Sequence, residues 1–543
     1  MAQEKSQVRS RAQSYDVVVV GAGFSGLYML HRLRQAGETV RVFEAGTSVG
    51  GTWFWNRYPG ARVDIESQEY AYSFSPELDE EWKWTERYAA QPELLAYLNH
   101  VADRFDLRPD IQLETRVTSA VWDDAARRWT VTTNRGDQVS ARHVVMATGC
   151  LSTPKEDAEL PGSDSFKGPS WHTGRWPEEG VDFTGMRVGV IGTGSSAIQA
   201  IPQIAAQAAH VTVFQRTPNF SVPAHNGPVD PAVVADWAAN RAQYRKEARE
   251  TGFGIRYIGA SETPALSVSE AARAAEYEER WRYGGFALLG AYADLVMDPA
   301  ANATAAEFVR GKIAEIVKDP TVAEKLAPKT YPIGAKRICV DTGYYATFNR
   351  DNVSLVDLTE EPIERVTPAG VKTSAREYEV DAIVYAIGFD AMTGALDKID
   401  IRGKGGVRLK DAWAAGPGTY LGLLVAGFPN LFLVTGPGSP SVLCNMAVAI
   451  EQHVEWISDC IAWMSARQAG SIEATAAAQD DWVAHVNEVA DSTIFPLANS
   501  WYLGANVPGK PRVFMPYIGG FPVYRDKCNE VAAAGYDGCV VTA

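Results

Sequence analysis

YDVVVVGAGFSGLYMLHRLRQAG runs from Tyr15 to Gly37. Val17 to Val20 form an unbroken apolar run, the pattern of a strand buried on both faces. Gly21, Gly23 and Gly26 follow as G-x-G-x-x-G, and the residues after them have helical spacing to about Gln35. In such a strand–turn–helix unit the first glycine makes the tight turn. The second lets the backbone approach a pyrophosphate, and the third lets helix and strand pack closely. The helix N-terminus offers free N–H groups and the positive end of its dipole to the phosphates. The next strand, TVRVFEA, ends in Glu44, placed to accept ribose hydroxyls. The reading is a Rossmann-like dinucleotide cradle.

A second cradle starts at MRVGVIGTGSSAIQAIPQIAAQAAHVTVFQRTP, from Met186 to Pro218. Gly192 and Gly194 follow the strand Val188 to Ile191, and Ala197 stands in the third position, where its small side chain still permits close packing. Its second strand ends in Gln215 and Arg216, with no acid where Glu44 stands in the first unit. A cation there suits a 2′-phosphate, so this cradle reads as an NADPH site, with Lys336 a second candidate for the same phosphate. Two such cradles in one chain suggest a flavin held by the first and reduced by the nicotinamide of the second. VVMATG (Val144 to Gly149) and IVYAIGFD (Ile383 to Asp390) each read as an apolar strand followed by a glycine turn. The fold class is α/β, two dinucleotide-binding Rossmann-like domains for FAD and NADPH with a helical insertion.

Flavin plus NADPH leaves reductases, N-hydroxylases and ketone oxygenases open. FKGPSWHTGRWP narrows them: Phe166, Gly168, His172, Trp176 and Pro177 spell F-x-G-x-x-x-H-x-x-x-W-P. GGTWFWNRYPGARVD, from Gly50 to Asp64, matches G-G-x-W-x-x-x-x-Y-P-G-x-x-x-D. On these two stretches the chain resembles the type I Baeyer–Villiger monooxygenases, and VFQRTP, AKR, GPGSPS and GANVPGKPR extend the resemblance over nearly its whole length.

The resemblance implies an FAD enzyme that uses NADPH and O2 to convert aryl, alicyclic or steroid-like ketones to esters or lactones. The route would be a carbon-4a peroxyflavin and a Criegee intermediate, with sulfoxidation as a side activity. Arg337 in GAKRICV aligns with the family's catalytic arginine, a permanently charged fork that can stabilise the anions of such a reaction. Asp64 would hold its guanidinium. Cofactor contacts are implied for Gly51, Thr52, Trp53, Tyr70 and Val117 beside the first cradle. Thr193, Ser195, Ser196, Gln199 and Thr217 are implied for the second. His172 is expected to order the connection between the two cradles rather than transfer protons. Trp501 is expected on a loop closing over the nicotinamide, and Met446 beside the pocket after the substrate-facing GPGSPS loop. Cys150 reads as a pocket-lining residue with nothing near it to lower its pKa. A flavin N- or S-monooxygenase is the alternative, which the Trp176–Pro177 ending argues against. A non-catalytic nucleotide-binding module is the other, which Arg337 and Asp64 argue against.

Composition sets the outer bounds. The chain has 543 residues, too many for one core. A net charge of −15 disfavours phosphate backbones, so no nucleic acid partner is expected. The six cysteines lack C-x-x-C or zinc spacing, which fits a reducing cytoplasm and no metal. The first residues lack the apolar core of a signal peptide, and the longest apolar run, Tyr420 to Val434, is interrupted by Gly and Pro429. A cytoplasmic enzyme without membrane association, monomeric or weakly oligomeric, is expected. The expected organisation is an FAD domain from 1–150 and 391–543, an NADPH domain from 151–223 and 330–390, and a helical insertion over 224–329.

Overall fold

A computed structural model describes residues 13–155, 160–259 and 261–543. The opening residues, read above as free of a signal peptide, therefore lie outside the described residues as far as position 12. Strand β1 (Gln13–Val20) is buried from Val17 onward and feeds helix α1 (Phe24–Gln35) through the glycine turn. Strand β2 (Val40–Phe43) then pairs with β1 in parallel. Among the described residues this unit grows into an eight-stranded sheet. Gln138–Met146 pairs with β1 in parallel and with Arg128–Thr133 antiparallel. Two late segments, Asp400–Arg402 and Leu431–Leu433, return to the same sheet. The apolar runs on both faces of these strands make the main core, with His143 and Trp129 fully buried in it.

The second cradle repeats the logic. Strands β3 (Arg187–Ile191) and β4 (His210–Gln215), joined by helix α2 (Ser195–Gln207), lie in a five-stranded parallel sheet. Its order is Val353–Asp357, β4, β3, Ala382–Tyr385, Ser170–His172. Each glycine turn backs onto the turn after a neighbouring strand. A Cβ on Gly21 would lie 2.5 Å from the Ala147 carbonyl oxygen, and one on Gly192 would press into that of Ala386. Both glycines have positive φ, +105° and +111°, so the two turns need glycine on conformational as well as steric grounds.

The stretch from Phe166 to Pro177 differs from the connection expected of it. Ser170–His172 is an edge strand of the second sheet, paired in parallel with Ala382–Tyr385. Strand pairing satisfies its backbone, which a free connection would leave to water. His172 is 4% exposed, and its Nδ1 accepts the Gly174 N–H at 2.9 Å. Trp176 is buried against Trp171 and Phe183. Between β4 and Tyr331 the chain forms helices Pro231–Arg249, Glu270–Tyr283, Pro299–Ile316 and Pro320–Leu326. Asp or Ser side chains cap the N-termini of all four. Among the described residues no helix is long and apolar enough to cross a membrane.

Candidate active site

Arg337 lies just before strand Cys339–Asp341, and Asp64 ends the loop that follows the short helix Thr52–Trp55. Folding brings them together across 273 residues of sequence. Arg337 Nε donates to Asp64 Oδ2 at 3.0 Å, and Nη2 donates to Oδ1 and Oδ2 at 2.8 and 2.9 Å. Nη1 donates to the Val442 carbonyl at 2.9 Å, and the guanidinium stands 4.6 Å from the centre of the Phe286 ring. Burial works against its charge, but the Asp64 carboxylate outweighs that and holds Arg337 above its ordinary value. A guanidinium has five N–H groups. Those four contacts engage Nε, Nη2 and one N–H of Nη1, and the Tyr502 hydroxyl also stands within hydrogen-bonding reach of the guanidinium.

Arg337 also lines a pocket. Phe253, Ile258, Leu289, Val296 and Phe495 give its walls an apolar character, and Tyr502 lies beside the arginine. Burial pushes the Tyr502 hydroxyl up to about 12, so it stays protonated at neutral pH. Val442, Phe286 and Tyr502 carried no signal of their own in the sequence. Phe286 lies in the helical stretch, and the Val442 contribution is a backbone oxygen that any residue would supply.

The two cradles have the features a dinucleotide needs. Neither α1 nor α2 has a side-chain cap or an acidic residue in its first turn, so their first N–H groups remain available. A Cβ added at Gly149 or Gly194 would meet nothing within 4 Å, which leaves room beside each cradle. Gly23 and Gly51 approach closely, a Cβ on Gly23 lying 3.2 Å from Gly51 Cα, which places Thr52 beside the first turn. Trp53 packs edge-on against Tyr70, ring centres 5.9 Å apart. Glu44 is 5% exposed, and its carboxylate accepts the Ala22 N–H at 2.8 Å and the Gly46 N–H at 2.7 Å. Burial raises its pKa against those bonds. Val117 is buried in the core behind the sheet, its backbone paired with Thr133.

In the second cradle, Thr193 Oγ1 donates to the Thr217 carbonyl at 3.0 Å, closing the turn from β3 onto the end of β4. Ser196 begins α2 beside Ser195 and is half-buried. Arg216 is exposed and Lys336 half-buried. Burial and the Arg216 charge both lower the Lys336 pKa, so the two cations are near neighbours. Lys336 Nζ stands over the Tyr331 ring at 4.5 Å. Among the described residues neither cation has a carboxylate partner, an arrangement that suits an incoming phosphate. Gln199, expected to contact a cofactor, has chain partners at both ends of its amide: Tyr58 Oη at 2.8 Å and the Arg62 carbonyl at 3.1 Å.

Met446 opens the helix Met446–Ala466 and packs with Cys150, Val442 and Leu443. Burial raises the Cys150 thiol to about 11, which keeps it from acting as a thiolate. Trp501 packs at a tilt against Tyr502, ring centres 4.3 Å apart, in a segment tied to the chain at 389–391. Asn506 Nδ2 donates to the Phe389 carbonyl at 2.8 Å, and Lys510 Nζ reaches Asp390 Oδ1 at 2.6 Å and the Ala391 carbonyl at 2.8 Å.

Residues 18–248 match the family described as pyridine nucleotide-disulphide oxidoreductase. A Baeyer-Villiger monooxygenase of Pseudooceanicola batsensis is 43% identical, covering 96% of this chain and 95% of its own. The chain belongs to the Baeyer–Villiger monooxygenase family. A solved structure described as oxidised steroid monooxygenase bound to NADP shares 56% identity with this Baeyer–Villiger monooxygenase. Its TM-score is 0.93, with 98% of this chain and all of that one covered. A phenazine N-monooxygenase of Lysobacter antibioticus is 44% identical over 97% of both chains.

Proposed function

We propose that this enzyme converts uncharged ketones to esters or lactones with NADPH and O2 in a reducing cytoplasm. The first cradle would hold FAD on α1, with Gly21, Gly23, Gly26, Glu44, Gly51 and Thr52 around it. The second would hold NADPH on α2, with Arg216 and Lys336 on its 2′-phosphate. Bound FAD, reduced by NADPH, supplies the activated oxygen. The observation that carries the reading is Arg337, pinned by Asp64 and Val442 at the wall of an apolar pocket beside the Tyr502 hydroxyl. A ketone would displace water from the apolar walls while its oxygen accepts a hydrogen bond from the guanidinium. As the carbonyl carbon is attacked, negative charge grows on that oxygen, and a fixed cation stabilises it without reorganising. The flat bidentate pairing with Asp64 fixes the direction of the fork, which a lone lysine could not match.

Arg337→Ala is expected to let NADPH still bleach the flavin while no ester appears; an esterifying Arg337→Ala enzyme would refute the role. The relative that is a phenazine N-monooxygenase gives the N-oxygenation reading its support. A panel containing ketones and aromatic N-heterocycles separates the two readings by which product gains oxygen.

A further inference from the structure

Asp64 and Arg337 come from distant parts of the chain, and the first two turns of α2 touch both neighbourhoods. On one side, Gln199 Oε1 accepts from Tyr58 Oη at 2.8 Å, and Gln199 Nε2 donates to the carbonyl of Arg62, two residues before Asp64, at 3.1 Å. On the other, Ser195 Oγ stands 3.4 Å from the Sγ of Cys339, two residues after Arg337. Gln199 and Tyr58 are 7% and 9% exposed, so these bonds are sheltered from water. Between them Gly60 lies flat on the helix with φ of +82°. A Cβ there would press into the Gln199 carbonyl oxygen and meet Gln203 Cγ at 3.0 Å. Backbone approach this close is open to glycine alone.

We infer that Gln199, gripped by the Tyr58–Pro59–Gly60 corner, is a positioning residue: the joint that keeps α2 in register with the Asp64–Arg337 pair. The inference rests on the reading of that pair as the reaction centre. Whatever α2 holds at its N-terminus is then placed relative to Arg337 through one buried amide. Loosening the joint leaves both cradles intact but lets the pair drift from what α2 carries. Small displacements of a reacting geometry are costly, about 10²-fold for ~1 Å. NADPH oxidation would continue while oxygen insertion fails, so hydrogen peroxide replaces ester.

Gln199→Met removes these two hydrogen bonds, and a longer one of 3.4 Å from the Arg62 N–H to Gln199 Oε1, at similar volume, and Tyr58→Phe removes one. Two readouts are taken on the purified FAD-loaded enzymes. The first is amide hydrogen exchange over residues 60–64 and 335–339, without ketone. The second is ester formed per NADPH consumed, with a ketone the parent enzyme converts. The control is Glu451→Gln. It weakens a buried cluster in which Glu451 accepts the Phe74 N–H at 3.0 Å and pairs with Arg249 at 2.8 Å, without touching the joint. In Gln199→Met, exchange is expected to rise about thirtyfold in both segments, the equivalent of two lost hydrogen bonds, with a similar fall in ester per NADPH. Tyr58→Phe should move both readouts in the same direction by less, and Glu451→Gln should move neither. Parental exchange in both variants, an unchanged ester yield, or an equal loss of yield in Glu451→Gln would overturn the inference. Because the exchange readout needs no ketone, failure of the parent enzyme to make any ester would count against the proposed function and not against the joint.

Discussion

Arg337→Lys separates the charge of the arginine from its shape. The native guanidinium makes three contacts to Asp64, at 3.0, 2.8 and 2.9 Å, and one of 2.9 Å to the Val442 carbonyl. A lysine ammonium keeps the positive charge but gathers its donors at one point on a narrower stem. It can remain paired with Asp64, but it cannot also reach the Val442 carbonyl and present a donor to the cavity. What is lost is one preorganised donor to the developing oxyanion, worth about 10²–10³ in kcat, or ~2.7–4 kcal/mol. Flavin reduction makes no use of that donor and should stay within about threefold of the parent rate, since an interaction made only in the later transition state leaves the earlier step alone. Anaerobic stopped-flow bleaching by NADPH reads the first half, and ester measured by gas chromatography with mass spectrometry reads the second. Ester formation by Arg337→Lys within about tenfold of the parent would refute the argument that fork geometry, rather than charge, is what the site supplies.

Other outcomes follow from the same structure. Arg216→Ala or Lys336→Ala should raise the KM for NADPH by about 10–100-fold, the worth of one charge-assisted hydrogen bond, with little change for NADH; equal effects on both coenzymes would remove the phosphate assignment. Because burial and Arg216 lower the Lys336 pKa, the preference for NADPH over NADH should decline with rising pH earlier than an ordinary lysine would allow, which coenzyme KM ratios across alkaline pH would show. Lys510→Ala breaks the tie to Asp390 and Ala391 and should speed proteolytic cleavage between residues 500 and 515, with an unchanged cleavage pattern counting against the tether. His143 and His453 are fully buried, and burial lowers both from 6.5 to about 3. The unfolded chain takes up those protons first, so stability is full above about pH 6.5 and falls as pH drops towards 3, by ~1.4 kcal/mol per unit for each histidine. Denaturant midpoints from pH 7 to pH 4 in the parent and His143→Gln test this; the same slope in both would contradict it.

How far the sequence could be read depended on how local each signal was. The two cradles were legible because strand, glycines and helix lie within one continuous stretch and each glycine has a steric job, such as Gly21 against Ala147. Arg337 and Asp64 were legible through their motifs, but their pairing across the fold was a matter of resemblance alone. Gln199 shows the limit. Its place on the cradle helix suggested a cofactor contact, and only the fold reveals that Tyr58 and Arg62 reach it from a loop more than a hundred residues earlier. The Phe166–Pro177 stretch, dense in glycine and aromatics, read as a connection because three residues are too few to show a strand's alternation; pairing with Ala382–Tyr385 supplies what the local sequence lacks. Phe286 was invisible for a similar reason, since a helical segment does not announce which of its rings will face a distant arginine.

The most direct test of the central claim is one turnover experiment under ¹⁸O2. The purified, flavin-loaded enzyme is given NADPH and a panel of uncharged ketones, amines and aromatic N-heterocycles, and products are analysed by mass spectrometry. An ester or lactone carrying a single labelled oxygen beside the former carbonyl carbon is expected, and its disappearance in Arg337→Ala. NADPH consumption that yields only labelled hydrogen peroxide with every ketone, while an amine or aromatic nitrogen takes up the label, would contradict it.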